Sequence, residues 1–240
     1  MNNYNKKYFD FYFKKYNKRI DDYVKNEIIN LKSWDKVLDA WCWVFLSLLE
    51  FYKINPKLTF YWTDIWDVEK FKPNFVKFKK NKLENLTYKN NTFSLIYCEM
   101  VLEHIKEPLK VTKELYRILR PNWKLIIKVP SIWTLFMPWD KNFFWDYTHI
   151  RPFSRKSLLR LNKDSGFKEK NIKIIFSIKS NNKFKNLILE NIILRIIILP
   201  VFYAIKNIKN ILTYQYWYNI YIIFLQNKFS AFPLISISKK

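Results

Sequence analysis

Short apolar runs recur along the chain at Lys36–Ala40, Thr59–Thr63, Phe75–Phe78, Phe93–Cys98, Lys124–Val129, Ile172–Ile178 and Ile220–Leu225. Runs of this length, rich in branched and aromatic residues, predict strands. Between them lie stretches whose apolar positions fall three and four apart, the spacing of a helix face. Leu46–Tyr52 is one, closed by Pro56. In Glu107–Leu119 the apolar positions are Leu109, Val111, Leu115, Ile118 and Leu119, and Pro121 stops the helix. Ser154–Asp164 is a third, with Ser154 as N-cap and Gly166 at its C-terminal stop. Residues 4–30 predict an amphipathic helical lead-in. Strands alternating with helices predict an α/β protein with a parallel sheet.

Residues 181–219 break this scheme. Leu187–Ile205 is strongly apolar but includes Glu190, Arg195 and Pro200, and its longest apolar run, Ile196–Ile205, is ten residues. A bilayer needs about 20. The segment predicts a helical insertion packing on the substrate side. Lys183, Lys185, Lys206 and Lys209 beside it support a peripheral membrane contact as the alternative. The expected organisation is a lead-in (1–33), an α/β core (34–180), an apolar insertion (181–219), and a final strand with a basic tail (220–240).

Composition narrows the function classes. With 240 residues, half of them hydrophobic, the chain can fill a core. Its 43 basic and 20 acidic side chains leave +23, which favours phosphate or anionic lipid. Those lysines are spread along the chain, and no RNP, KH or cold-shock pattern is present, so nucleic acid is not an expected partner. Cys42 and Cys98 are too few for a disulfide scaffold and lack zinc-site spacing, so no metal is expected. Met1–Asp10 is polar and lysine-rich, which predicts no secretory leader and a cytoplasmic protein.

One count is anomalous. The chain has a single glycine, where average usage of about 7% would supply roughly 17. It has ten tryptophans. Trp34 follows Lys32-Ser33, Trp41 and Trp43 follow the first strand, Trp62 lies in Tyr61-Trp62-Thr63-Asp64, and Trp123 follows Pro121-Asn122. These are places where turn chemistry asks for glycine.

With glycine at those five positions the chain reads KSGDKVLDAGCG, FYGTDI and LRPNGKLII. That pattern resembles the class I S-adenosylmethionine-dependent methyltransferases, specifically the type 11-like group with a "leH" motif after the fourth strand. UGA is read as tryptophan in some bacterial codes and as glycine in others, which would account for the exchange. Phe93–Ile105 resembles "FDlvys…vleHi" with Ser94 in place of Asp, and Glu114, Arg117 and Pro121 match "E…RvLkPgG". Asp146–Ser154 resembles the "D-x-tHirpfs" segment of methyltransferases that accompany glycan genes.

The resemblance implies a Rossmann-like fold: a seven-stranded, mostly parallel sheet of order 3-2-1-4-5-7-6, helices on both faces, and the last strand antiparallel. It implies S-adenosyl-L-methionine as cofactor, held by Asp39, Ala40, Trp41, Cys42 and Trp43 after the first strand. Asp64, 21 residues past Trp43, takes the ribose hydroxyls, with Ile65 beside it. Leu83 and Glu84 border the adenine, while Lys82 stands where an acid usually meets the adenine amino group. Cys98 and Glu99 end the fourth strand beside the cofactor. His104, Tyr147 and Arg151 are expected on the acceptor side, and His149 is the candidate base for a hydroxyl acceptor. The implied activity is methyl transfer to a glycan or small metabolite. The alternatives are a catalytically inactive protein of this fold at a membrane surface, and a basic RNA-binding module.

Overall fold

The computed structural model describes residues 20–40, 45–67, 69–136, 142–176 and 233–240. Eleven regular elements follow in order. They are α1 (Asp22–Ile29), β1 (Lys36–Ala40), α2 (Leu46–Ile54), β2 (Thr59–Asp64), β3 (Val76–Lys80), β4 (Phe93–Glu99), α3 (Pro108–Ile118), β5 (Leu119–Val129), α4 (Arg155–Asp164), β6 (Ile172–Phe176) and β7 (Leu234–Lys239). The strands form one sheet of order β3-β2-β1-β4-β5-β7-β6. Strands β1 to β5 pair in parallel, and β7 runs antiparallel to both β5 and β6.

Period-two burial explains why short apolar runs become this sheet. Val37, Leu95, Tyr97 and Ile126 point to one face, where Val24 and Ile28 of α1 and Leu48 and Phe51 of α2 cover them. Leu38, Ile96, Leu125 and Ile127 point to the other, beneath Val111, Leu115 and Ile118 of α3 and Leu158 of α4. Ser154 caps α4 by accepting the Ser157 N–H at 3.0 Å. Gly166 ends that helix at φ 113°, and a Cβ there would stand 3.1 Å from the Tyr116 ring.

The seventh strand differs from the sequence reading. Ile220–Leu225 lies outside the described residues, and Leu234–Lys239 takes the slot between β5 and β6. Its alternation is hidden in the sequence because its inward polar residues, Ser236 and Ser238, are small and fully buried. Ser238 is satisfied by donating to Asn162 Oδ1 at 2.8 Å. The insertion at 187–205 also lies outside the described residues. Among the described residues, no helix is long and apolar enough to cross a membrane.

The tryptophans divide. Trp34 sits in a turn at φ 70° with its indole exposed, a backbone state that favours glycine. The other two described positions depart from the turn expectation. Trp62 is a fully buried residue within β2, edge-on to Phe45 and Phe78 at 5.8 and 5.2 Å, and its Nε1 has no hydrogen-bond partner. Trp123 lies within β5, and the positive φ of its turn, 67°, falls on Asn122. Trp34→Gly is therefore expected to raise stability by about 1 kcal/mol in urea unfolding, since relief of left-handed strain outweighs the added freedom of the unfolded chain.

Candidate active site

Parallel strands place their carboxyl ends on one edge. Neighbours β1 and β4 leave in opposite directions, β1 towards β2 and β4 towards β5, so a crevice opens between them. Ala40 ends β1, Asp64 ends β2, Glu99 ends β4 and Val129 ends β5. The fold thus gathers Asp39, Ala40, Asp64, Cys98 and Glu99 on one rim. Trp41, Cys42 and Trp43 fall between β1 and α2 in sequence, outside the described residues.

On the β1–β2 side, Asp39 is fully buried and pairs in register with Trp62 of β2 and Tyr97 of β4. Asp64 is also buried, with Oδ1 accepting the Trp66 N–H at 2.9 Å. Burial raises its carboxyl to about 6, and the main-chain N–H groups of Trp66 and Ile65 offset only part of that. It is a desolvated acceptor held by main-chain donors at the strand end, a placement in which a carboxylate can also accept from the hydroxyls of a ribose. The strand-end carboxylates therefore suit a nucleoside. Ile65 follows directly, half-buried. Leu83 points into the core beside Ala40 and Cys98, so only its main chain is available to a ligand, and Glu84 is half-buried next to it.

On the β4–β5 side, Glu99 lies 3.1 Å from Lys128 Nζ, which also meets Asp21 at 2.7 Å. Burial alone would lower the Lys128 ammonium, but the two carboxylates outweigh it and hold it above its ordinary value. Met100 then turns the chain at φ 54° into Leu102–His104.

Here the structure assembles a cluster that sequence reasoning named only in pieces. His104 Nδ1 lies 2.8 Å from Thr148 Oγ1, and that hydroxyl donates to Asp146 Oδ1 at 2.6 Å. His104 therefore carries its proton on Nδ1. His149 Nδ1 is 2.6 Å from the Phe143 carbonyl, an acceptor only, so it too is protonated there. His149 does not cap α4; Ser154 does. The two imidazoles lie 4.7 Å apart, centroid to centroid. Burial holds His104 below its ordinary value, reinforced by His149.

Glu103, absent from the sequence candidates, is fully buried next to them, and burial lifts its carboxyl to about 8. Its carbonyl accepts the Ile150 N–H at 2.7 Å, which ties the two segments together. Tyr147 is almost wholly exposed and makes no part of this cluster. Arg151 turns its Nη2 to the Lys106 carbonyl at 2.8 Å, a clamp on the same segment rather than an anion hook. Glu103 and Asp146 stand within the Phe93–Ile105 and Asp146–Ser154 motifs but were not singled out there, because an acid in a loop has no periodic signature.

Comparison with known proteins decides the family. Residues 12–170 match the methyltransferase domain family. The chain belongs to it. A search of curated protein sequences finds no match. Among solved structures, a SAM-dependent methyltransferase from Archaeoglobus fulgidus matches with TM-score 0.60 at 19% identity, over 97% of this chain and 99% of its own. The [4+2]-cyclase SpnF matches with TM-score 0.57 at 16% identity, over 91% and 81%. Haemonchus contortus phosphoethanolamine N-methyltransferase 2, solved with S-adenosyl-L-methionine, matches with TM-score 0.52 at 17% identity, over 91% and 52%. The likeness at such identities is one of fold. Together with the family match it identifies this chain as a Rossmann-like methyltransferase.

Proposed function

We propose that the protein transfers a methyl group from S-adenosyl-L-methionine to a glycan or small-metabolite acceptor entering from the β4–β5 side. The observation that carries this reading is the pair of buried carboxylates, Asp39 and Asp64, at the carboxyl ends of adjacent strands. When bound, the cofactor supplies an electrophilic methyl on a sulfonium. Asp64 accepts from the ribose hydroxyls, Asp39 lies beneath the methionine end, and Ala40 keeps the strand tip small. Glu99 closes the rim, with Lys128 neutralising it. The protein's part is positioning, because the reactive group is brought in. For a hydroxyl acceptor, the lone pair on His149 Nε2 receives the proton as the methyl adds.

In this reading positions 34, 41 and 43 are glycine in the native protein. Trp34 supports it by its positive φ, and Trp41 and Trp43 by their place in the turn that the cofactor must approach. Sequencing the gene tests it: UGG codons there exclude recoding.

Calorimetry with S-adenosyl-L-methionine tests the site, using the chain with glycine at 41 and 43. Asp64→Asn is expected to weaken binding about 10-fold, the loss of one charge-assisted contact of about 1.4 kcal/mol. The pH dependence has a defined sign. With the carboxyl at about 6 in the free protein, affinity falls as pH drops through 6 and Asp64 takes up a proton. The Asn variant stays flat over that range. An unchanged affinity in the variant contradicts the ribose assignment.

A further inference from the structure

Both histidines of this chain converge on one buried carboxylate. One ligand atom from each of Glu103, His104 and His149 can be chosen so that all lie within 4.8 Å of one another. We propose that these three side chains bind a divalent transition-metal ion of the zinc type, beyond the carboxyl ends of β4 and β5.

Four observations converge on this. The first is ligand type: two imidazoles and a carboxylate suit borderline divalent metals and match the three-ligand sets that leave positions open for water or substrate. The second is orientation. Each ring is held through Nδ1, His104 by Thr148 and His149 by the Phe143 carbonyl, and His149 Nε2 lies 3.9 Å from Asp146 Oδ2. Metal-bound histidines are held in this way, through the other ring nitrogen, by carboxylates and main-chain carbonyls. Asp146 extends the arrangement by accepting from both the hydroxyl and the main-chain N–H of Thr148, at 2.6 and 2.9 Å.

The third observation is Glu103. It is fully buried, and beyond its own main-chain N–H its carboxylate finds no hydrogen-bond partner among the described residues. A buried carboxylate in that condition is costly, and a cation between the imidazoles would satisfy it. The fourth is rigidity. Main-chain bonds from Ile150 and Arg151 to the Glu103 carbonyl, at 2.7 and 3.4 Å, lock the two segments in register. A tetrahedral ion with bonds of about 2.1 Å separates its ligands by roughly 3.4 Å. The present separations, up to 4.8 Å, are wider than that, so the side chains close on the ion when it binds.

The ion's role rests on the methyltransferase reading; its binding does not. With three protein ligands and open positions, the ion would hold an oxygen of the acceptor, which selects hydroxyl-bearing substrates and lowers the hydroxyl pKa. With the ion bound, His149 serves as a ligand and no longer as the base, and the proton of the metal-held hydroxyl passes to water as the methyl adds.

The test is calorimetric titration of Zn2+ alone into the metal-free full-length protein without cofactor, alongside the visible spectrum with Co2+. One Zn2+ per chain at micromolar or tighter affinity is expected. His104→Ala and His149→Ala should each weaken it at least 100-fold, Glu103→Gln at least 10-fold, and Tyr147→Ala not at all. Thr148→Val keeps shape but removes the Thr148 contact with His104, and should cost about 10-fold if a ligand variant fails to fold. Absence of stoichiometric Zn2+ binding by folded wild-type protein overturns the proposal, as does undiminished binding by His149→Ala. S-adenosyl-L-methionine affinity is measured on the same proteins. Lost zinc with retained cofactor binding supports the proposal, and retained zinc with no cofactor binding overturns only the methyltransferase reading.

Discussion

Replacing Lys128 by alanine is expected to destabilise the fold by about 3–5 kcal/mol, read as a lowered urea midpoint at unchanged slope. The reason is burial on all sides. Side-chain exposure is 13% for Lys128 and 10% for each of Asp21 and Glu99, so this is no surface pair of small consequence. Removing the ammonium leaves two carboxylates facing each other with little water. Two like charges buried together without their shared cation carry the desolvation cost with nothing to offset it. Lys128→Met combined with Asp21→Asn and Glu99→Gln should recover most of the loss, because it removes the charges together. A deficit below 1 kcal/mol at pH 7 would show that solvent reaches this triad. Asp21 precedes α1, so the triad also fastens the N-terminal helix to the ends of β4 and β5.

The same contrast between periodic and aperiodic signals explains what the sequence revealed. The inner strands β1, β2 and β4 were legible because both faces are largely buried, so their apolar runs are continuous, while the edge strands β3 and β6 show themselves by alternation, as in Val76 and Phe78 between lysines. The short β1 announces itself as Val37-Leu38, followed by Asp39. Strand β7 was missed because Leu234-Ile235-Ser236-Ile237-Ser238 ends in lysines and reads as a tail, whereas Ile220–Leu225 is more apolar. Hydropathy ranks segments by burial alone; pairing with β5 and β6 is decided by register and by the hydrogen bond that a small serine can make with Asn162. The strand-end acids on which the proposed cofactor reading rests, Asp39 and Asp64, were readable from their spacing. The Glu103–His104–His149 cluster was only half readable, because it joins two loops through main-chain bonds that leave no trace in either segment. Trp62 teaches the reverse lesson. Its neighbours resemble a glycine-bearing motif, yet in this chain the indole is an integral core residue between Phe45 and Phe78.

Changing Trp41 and Trp43 together to glycine is expected to strengthen S-adenosyl-L-methionine binding at least 100-fold, about 2.7 kcal/mol. The structure limits the space available. Strand β1 ends at Ala40 and α2 begins at Leu46, so only five residues connect the sheet edge to the helix. The last of them, Phe45, is already buried against Trp62. On the proposed reading the cofactor lies beside positions 41–44, where glycine would offer bare main chain and tryptophan adds an indole. Side chains that must be expelled from a cleft cost binding energy for every contact they lose and for the disorder imposed on the turn. Trp145→Gly serves as the control: its ring is exposed near His149, on the far side of the crevice, and cofactor affinity should not change. Trp34→Gly should raise stability without altering affinity, because its turn precedes β1, at the opposite end of the strand from the rim. Equal affinity before and after the double change would mean that the turn stands clear of the cofactor, and glycine at 41 and 43 would then have no functional reason. The two tryptophans thus convert a question about the genetic code into a measurable difference in binding, independent of which acceptor the enzyme methylates.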